Sequence, residues 1–184
     1  AAGLALGVWL IVGSLTEVAE RIRLFRSPRA GVLRRLGGLP RGTWGMTLAH
    51  AGLGVFVLGA VFETTWKAET AEVLAIGQRL EVAGYVVVLD NVAPVQGPNY
   101  EAEQASLRAF APNGTLACMA RPERRLYSAG DQTTSEVAIC TRGLSHLYVV
   151  LGERRTGADG APVWLATGYW NPWALLLFLG PGLM

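Results

Sequence analysis

The sequence has 184 residues, of which 51% are hydrophobic and only 16% are charged. Soluble domains carry about 25% charged residues, so this composition argues against an ordinary soluble domain and favours a protein embedded in a bilayer. The net charge of +2 hides an asymmetry, because residues 21–41 contain seven arginines and no acid, whereas residues 63–169 contain twelve acids against nine lysines and arginines. We therefore expect no nucleic-acid partner.

The first predicted element is a transmembrane helix over residues 1–20. Residues 1–16 carry no charged side chain, and Glu17 and Glu20 mark the polar end of the run. A bilayer core needs about 20 apolar residues in helical form, so this run is slightly short. Because the chain begins and ends inside apolar runs, we expect both ends to be cuts in a longer protein.

An arginine-rich loop follows over residues 21–44. Short loops rich in Lys and Arg remain in the cytoplasm, so we expect this loop to be cytoplasmic. An RNA-binding patch, a lipid-headgroup patch and a merely solvated loop are the alternatives. The apolar segments on both sides favour the topological interpretation.

A second transmembrane helix is predicted over residues 45–62, which carry no formal charge. Trp44 and Trp66 flank it at positions typical of interfacial anchors. Three small residues recur every seven positions, which favours close helix packing in lipid unless the spacing is coincidental: Gly45, Gly52 and Gly59. A helix leaving a cytoplasmic loop runs outward, so we expect the residues after it to lie in the periplasm.

Residues 63–169 are predicted to form an all-β domain in the periplasm, and residues 170–184 to begin a third transmembrane helix. Strands are indicated by β-branched and aromatic runs at residues 80–89, 147–151 and 163–165. Residues 105–110 and 115–120 predict a hairpin across the turn Pro112-Asn113-Gly114. The predicted fold class is a membrane protein with transmembrane α-helices and a periplasmic all-β domain.

His50 is the candidate functional residue of the second predicted helix. An ionisable side chain inside a membrane helix is costly and indicates a functional site. Imidazole is a common haem ligand, and the small neighbours Ala49, Ala51 and Gly52 leave space for a planar macrocycle. A helix–helix hydrogen bond and a proton relay remain alternatives for a single histidine.

Other polar residues carry weaker signals. His146, within the β-domain, is expected to be a surface or satisfied core histidine. Arg124 and Arg125 have the chemistry to hold an anionic group such as a haem propionate, although a solvated turn is the favoured interpretation. Cys118 and Cys140 are as compatible with two separate buried thiols as with a disulfide.

The motifs along the chain resemble those of the CcmF/NrfE family of cytochrome c biogenesis proteins. Residues 39–52, LPRGTWGMTLAHAG, resemble the family's LPRxxWGMxLAHxG segment. Further segments follow in the family's order: GPNY at 97–100, PERRLY at 122–127, TTSEVAI at 133–139 and LYVVLGE at 147–153. The resemblance covers roughly residues 17–171 and identifies the chain as the C-terminal part of such a protein.

The resemblance implies a multi-pass protein of the bacterial inner (cytoplasmic) membrane. Such a protein forms part of the cytochrome c haem lyase of the Ccm maturation system. It works with CcmH-type subunits and transfers haem from the chaperone CcmE to apocytochrome c. By its position in the LAHxG motif, His50 is implied to be an axial ligand to the iron of a b-type haem. The fragment alone is not expected to be catalytic.

Several family features do not occur in this sequence. The Trp-rich haem-binding segment, its flanking histidines and the second b-haem ligand are absent, and the family places all of them upstream. Residues 170–175 also differ from the family's usual start of its last helix. The alternative function is a non-haem, membrane-anchored periplasmic docking module for an assembly complex, in which His50 only packs.

Overall fold

The computed structural model describes residues 1–26, 28–130 and 132–184. Its internal contacts divide the chain into two compact units. The helical unit comprises residues 1–66 and 173–184, and the β unit comprises residues 67–172.

The described residues of the helical unit form four helices: α1 (Ala2–Arg21), α2 (Arg29–Gly37), α3 (Arg41–Trp66) and α4 (Leu176–Leu183). At 1.5 Å per residue, α1 is about 30 Å long and α3 about 39 Å, which suffices for a hydrocarbon core of about 30 Å. Both are apolar enough to cross a membrane. Large apolar side chains on their surfaces are exposed, including Val8, Trp9 and Leu53.

Two helices differ from what the sequence suggested. Helix α2 and the first turn of α3 lie within residues 21–44, which we expected to form a loop. Leu, Ala and Arg are good helix formers, and Gly37 with Gly38 ends α2. Helix α4 is only eight residues long and contains Pro181, so residues 170–184 supply about two helical turns.

Small residues bring α1 and α3 together in antiparallel orientation. A Cβ atom added to Gly54 would lie 2.6 Å from Ile11 Cγ1 and 2.8 Å from the carbonyl oxygen of Gly7. A Cβ added to Gly3 would lie 2.6 Å from Val61. Glycine is therefore required on both helices for the backbones to approach this closely.

Helix α4 packs on another side of α3. A Cβ added to Gly180 would lie 2.6 Å from the carbonyl oxygen of Gly52, and one added to Gly59 would lie 2.9 Å from Leu176. Gly45 has no atom within 4 Å of such a Cβ. Two of the three glycines in the predicted stripe therefore serve helix packing, and the third does not.

The β unit is a sandwich of two antiparallel sheets. One sheet has the order β1-β10-β9-β8, and the other has the order β2-β3-β4-β6-β7 with β5 also paired to β4. The strands are β1 (Ala68–Leu74), β2 (Arg79–Val82), β3 (Tyr85–Gln96), β4 (Tyr100–Phe110), β5 (Leu116–Ala120), β6 (Glu123–Tyr127), β7 (Gln132–Glu136), β8 (Ala138–Arg142), β9 (Ser145–Thr156) and β10 (Pro162–Asn171).

Alternating side chains from both sheets fill the space between them. In β3, Val87 and Leu89 are buried while Val86 and Val88 are only half-buried, as the pleat of a strand requires. The same alternation in β9 buries Leu147, Val149 and Leu151. These residues join one continuous hydrophobic core that also includes Trp164.

One strand prediction was wrong and one hairpin prediction is confirmed. Residues 80–89 are not a single strand, because the chain reverses at Ala83 and Gly84 between β2 and β3. Both turn residues have positive φ, 49° and 79°, as a two-residue hairpin turn requires. The hairpin across Pro112-Asn113-Gly114 is confirmed by the pairing of β4 with β5.

A disulfide joins the two sheets of the sandwich. It connects Cys118 in β5 with Cys140 in β8, whose Cα atoms are 6.2 Å apart. Glu103 in β4 makes a second connection, since it accepts a hydrogen bond from Trp164 Nε1 in β10 at 3.2 Å. The alternative of two separate thiols is therefore excluded.

Candidate functional site

His50 lies on α3 beside a groove formed with α1. The groove has a volume of about 290 Å³ and is lined by Trp9, Leu10, Gly13, Ser14, Glu17, Met46, Thr47 and His50. The His50 side chain is exposed on this surface. Its position, nine residues into α3, is about 14 Å along the axis from Arg41 at 1.5 Å per residue.

A hydrogen bond fixes the orientation of the His50 ring. Its Nδ1 lies 2.8 Å from the backbone carbonyl oxygen of Met46, one helical turn earlier. A carbonyl oxygen can only accept, so Nδ1 must carry the proton and donate it. In the neutral imidazole this leaves the lone pair on Nε2, the arrangement commonly found in metal-bound histidines.

The space around His50 differs from the one expected from its sequence neighbours. Gly52, which we expected to leave room for a macrocycle, instead faces Gly180 of α4. The surface beside the imidazole comes from α1, where Gly13 has no atom within 4 Å of an added Cβ. The room next to His50 is therefore created by helix packing and not by adjacent residues.

The residues in the groove fit one side of a haem site. They supply one imidazole nitrogen and walls in which Trp9, Leu10 and Met46 are apolar. The groove's volume of about 290 Å³ lies at the lower end of the roughly 300–1,000 Å³ of pockets for drug-sized ligands, and the groove offers one wall and one ligand. Among the described residues, no group of three His, Cys, Asp or Glu side chains is placed to hold a metal ion.

An aromatic cluster occupies the end of α3 farthest from Arg41. The rings of Phe62 and Trp66 stack with centroids 4.8 Å apart, and Phe62 lies 5.7 Å from the ring of Trp173. Trp44, near the opposite end of the same helix, is partly exposed. This distribution is typical of aromatic residues at the two interfaces of a membrane helix.

Arg124 and Arg125 lie in strand β6, so the solvated-turn interpretation was wrong. The guanidinium of Arg125 donates to Glu123 at 2.8 Å and lies 3.6 Å from Glu136. It also stacks 4.5 Å from the ring centroid of Tyr100. Because two carboxylates already neutralise it, Arg125 is poorly suited to hold a propionate.

The same cluster sets the titration of Glu123. The hydrogen bonds from Arg125 and, secondarily, from Gln104 hold the pKa of the Glu123 carboxyl below its usual range. Arg124 lines a neighbouring groove of about 600 Å³ that also contains Glu101 and Glu103. With two carboxylates beside one guanidinium, this groove does not favour an anionic ligand.

His146 is a core histidine. It is 8% exposed, and its Nδ1 lies 3.2 Å from the hydroxyl oxygen of Tyr148. The expectation of a satisfied core residue is confirmed, and its location in β9 gives it no part in the groove at His50.

Sequence reasoning missed the contribution of α1 to this site. The available signal was the pair Gly3 and Gly7, four residues apart, which is the small-xxx-small pattern of helix contacts in membranes. The hydrogen bond to Met46 was also predictable, because residues four apart on a helix are neighbours.

Comparison with known proteins identifies the β unit. Residues 65–172 match the family model described as the CcmF C-terminal beta-sandwich. The solved structure of the cytochrome c heme lyase CcmF aligns with a TM-score of 0.67 at 15% identity, over 100% of this chain and 29% of that chain. That structural likeness shows a shared fold.

Relatives in several bacteria match nearly the whole sequence. The cytochrome c-type biogenesis protein CycK of Bradyrhizobium diazoefficiens is 41% identical over 98% of this chain and 27% of its own length. CcmF of Pseudomonas fluorescens is 29% identical over 95% of this chain and 25% of its own length. The chain thus spans about a quarter of these relatives. It belongs to the CcmF family of cytochrome c-type biogenesis proteins.

Proposed function

We propose that this chain is the C-terminal part of a cytochrome c haem lyase subunit, and that His50 is an axial ligand of its b-type haem. The observation that carries the proposal is the hydrogen bond from His50 Nδ1 to the Met46 carbonyl, which leaves Nε2 as the ligating nitrogen. The family relationship and the position of His50 in the LAHxG motif support the same assignment.

The proposal includes a topology. Helices α1 and α3 span the inner membrane, residues 22–40 lie in the cytoplasm and the β-sandwich lies in the periplasm. The seven arginines of residues 21–41 support this orientation, because such loops are retained in the cytoplasm. The disulfide between Cys118 and Cys140 supports it independently, since the periplasm is an oxidising compartment.

The proposed partners are CcmH-type subunits, the haem chaperone CcmE and apocytochrome c. The names of the relatives support a place in cytochrome c biogenesis. In the complete protein, the haem from CcmE is joined to apocytochrome c, and this chain contributes the periplasmic sandwich and one haem ligand.

A bound haem would supply an iron centre capable of one-electron transfer. The chain's own residues hold and orient that centre. The Met46 carbonyl fixes the ring of His50, and donation of the Nδ1 hydrogen bond to this carbonyl raises the basicity of Nε2. Trp9 and Leu10 supply apolar side chains to the groove beside His50.

The test is His50→Ala in the full-length protein, purified in detergent with its native haem. We expect the b-type haem to be lost or to become five-coordinate, with recovery on adding imidazole. His50→Met is expected to retain haem with a raised reduction potential, because a thioether favours the ferrous state. His146→Gln removes the chain's other histidine and serves as the matched control.

The ligand assignment fails if the Ala variant is inserted at normal levels and keeps the wild-type haem content, spectrum and potential. Absence of any haem spectrum from the wild-type protein would instead favour the non-haem docking function. Alkaline phosphatase fusions at Pro28 and Asn113 test the topology separately, and activity is expected only at Asn113.

A further inference from the structure

We propose that residues 20–26, together with helix α2, form a binding site for the headgroup of an anionic phospholipid, centred on Arg23 and Arg26. This site is separate from the groove at His50 and does not depend on haem. It rests on the proposed membrane-spanning role of α1 and α3.

Helix packing places this segment where lipid headgroups lie. The contact of Gly7 with Gly54 makes α1 and α3 antiparallel, so the end of α1 at Arg21 and the start of α3 at Arg41 lie at the same end of the pair. Because α1 is about as long as the hydrocarbon core is thick, the residues after it reach the interface.

A groove at the end of α1 combines cationic and apolar side chains. It has a volume of about 500 Å³, and Arg23, Arg26, Leu24 and Phe25 form part of its lining. Glu20 also lines it, so two guanidiniums face one carboxylate. A guanidinium matches the geometry of a phosphate through paired hydrogen bonds, which a phosphodiester headgroup can accept.

The charges around the groove are not neutralised within the segment. Arg21 is bound by Glu17 at 2.7 Å, and the groove lining holds one carboxylate, Glu20, against the guanidiniums of Arg23 and Arg26. An arginine without a neutralising partner is repelled by neighbouring arginines and attracted to anionic lipid. Each basic residue near the membrane surface raises the affinity for anionic lipid about fivefold.

Exposed apolar side chains distinguish a lipid site from a merely solvated loop. Phe25 is 91% exposed and Leu33 is 67% exposed. Helix α2 has Val32, Leu33 and Leu36 on one side and Arg34 and Arg35 on the other, the pattern of a helix that lies in the interface. A solvated loop would gain nothing from these apolar groups, whereas acyl chains would cover them.

The experiment measures lipid binding by the full-length protein in detergent, using native mass spectrometry with phosphatidylglycerol and phosphatidylcholine as probes. We expect phosphatidylglycerol to bind at least tenfold more tightly. Arg23→Gln with Arg26→Gln should weaken phosphatidylglycerol binding by roughly twenty-five-fold, as the product of two fivefold losses. The matched control is Arg142→Gln with Arg155→Gln, two exposed arginines of the β-sandwich, which should leave binding unchanged.

Further measurements distinguish a lipid headgroup from a soluble phosphate, and lipid from RNA. Phe25→Ala should weaken phosphatidylglycerol binding, and soluble glycerol phosphate should not compete at equal concentration. The proposal is overturned if the Arg23/Arg26 variant binds phosphatidylglycerol as the wild type does, if glycerol phosphate competes equally, or if a short RNA binds these arginines in preference to lipid. Haem content, measured in parallel, should be unchanged in the Arg23/Arg26 variant, so failure of this site is distinguishable from failure at His50.

Discussion

The helical unit and the β-sandwich place opposite kinds of residue in their interiors. In the sandwich, large apolar side chains such as Leu89 and Leu107 are almost completely buried. In the helical unit, buried positions are largely small or hydroxyl-bearing, and large apolar side chains face outward: Gly7, Ser14, Thr43, Thr47, Gly52, Gly54 and Gly59 are buried.

The proposed topology explains this contrast by the solvent around each unit. Water drives leucine and valine to the inside of the sandwich because their burial removes apolar surface from water. Lipid tails provide no such driving force, so membrane helices associate through close backbone contact at small residues. The same side chain should therefore have a different effect on stability in the two units.

The largest expected effect tests that contrast directly. Leu89→Ala should destabilise the sandwich by about 2–5 kcal/mol, because it removes a fully buried side chain and leaves a cavity. The matched change Leu53→Ala, at a position 42% exposed on α3, should cost much less in detergent or lipid. Urea unfolding of the chain in detergent, followed by circular dichroism, measures both. Equal losses would contradict the proposed lipid environment of α3.

The next effect concerns the link between the sheets. Replacing both Cys118 and Cys140 by alanine should cost about 3 kcal/mol, from the loop-closure entropy of a 22-residue separation. Alkylation of the wild-type protein after denaturation checks the disulfide directly. Neither cysteine should react until a reductant is added, and labelling before reduction would show free thiols.

Helix packing should respond to the size of residue 54. Gly54→Ala should destabilise the helical unit by about 1–3 kcal/mol, because the new methyl group meets Ile11 and the backbone of Gly7. Gly45→Ala is the matched control, since its Cβ meets nothing and alanine favours helix. The melting temperature of the helical signal in detergent should fall for Gly54→Ala alone. An equal fall for both variants would contradict the packing role of Gly54, because the alanine at position 45 meets no atom within 4 Å and favours helix.

The smallest effect is the pH dependence of the β6 cluster. Arg125 and Gln104 lower the pKa of Glu123 in the folded state, so its stabilising contribution is present above the unfolded pKa and is lost as pH falls through the folded pKa. The loss should begin below about pH 4.3, the ordinary glutamate value.

Glu123→Gln should lower stability at pH 7 by at most about 1 kcal/mol and remove this part of the acid sensitivity. Unfolding curves at pH 7 and pH 3 measure it, with the exposed Glu153→Gln as control. An unchanged difference in stability between the two pH values would show that the Glu123 pair does not contribute.

Local sequence signals predicted some elements well and failed at others for identifiable reasons. The Pro112-Asn113-Gly114 turn was readable because its residue types set the local backbone. The turn at Ala83 and Gly84 was missed because apolar residues continue on both sides of it, and alanine rarely adopts a positive φ. Helix α2 was missed because its arginines dominated the interpretation as a loop.

The pairing of Cys118 with Cys140 and the surroundings of His50 depend on contacts between distant segments. The cysteines lie in different sheets, and only the way β5 and β8 meet brings them within bonding distance. The expected space at Gly52 is occupied by α4, and α1 supplies the groove instead. Neither outcome follows from the residues adjacent in sequence.

The sequence by itself determined the two apolar helices and a β-rich domain between residues 63 and 169, because these follow from local composition and period. His50 became the candidate ligand only through its position in the family's LAHxG motif. Tertiary structure decided which helix forms the wall opposite His50 and how two sheets close over one core. The physical reason is that glycine contacts and strand register act between segments far apart in the chain, where no local pattern specifies the partner.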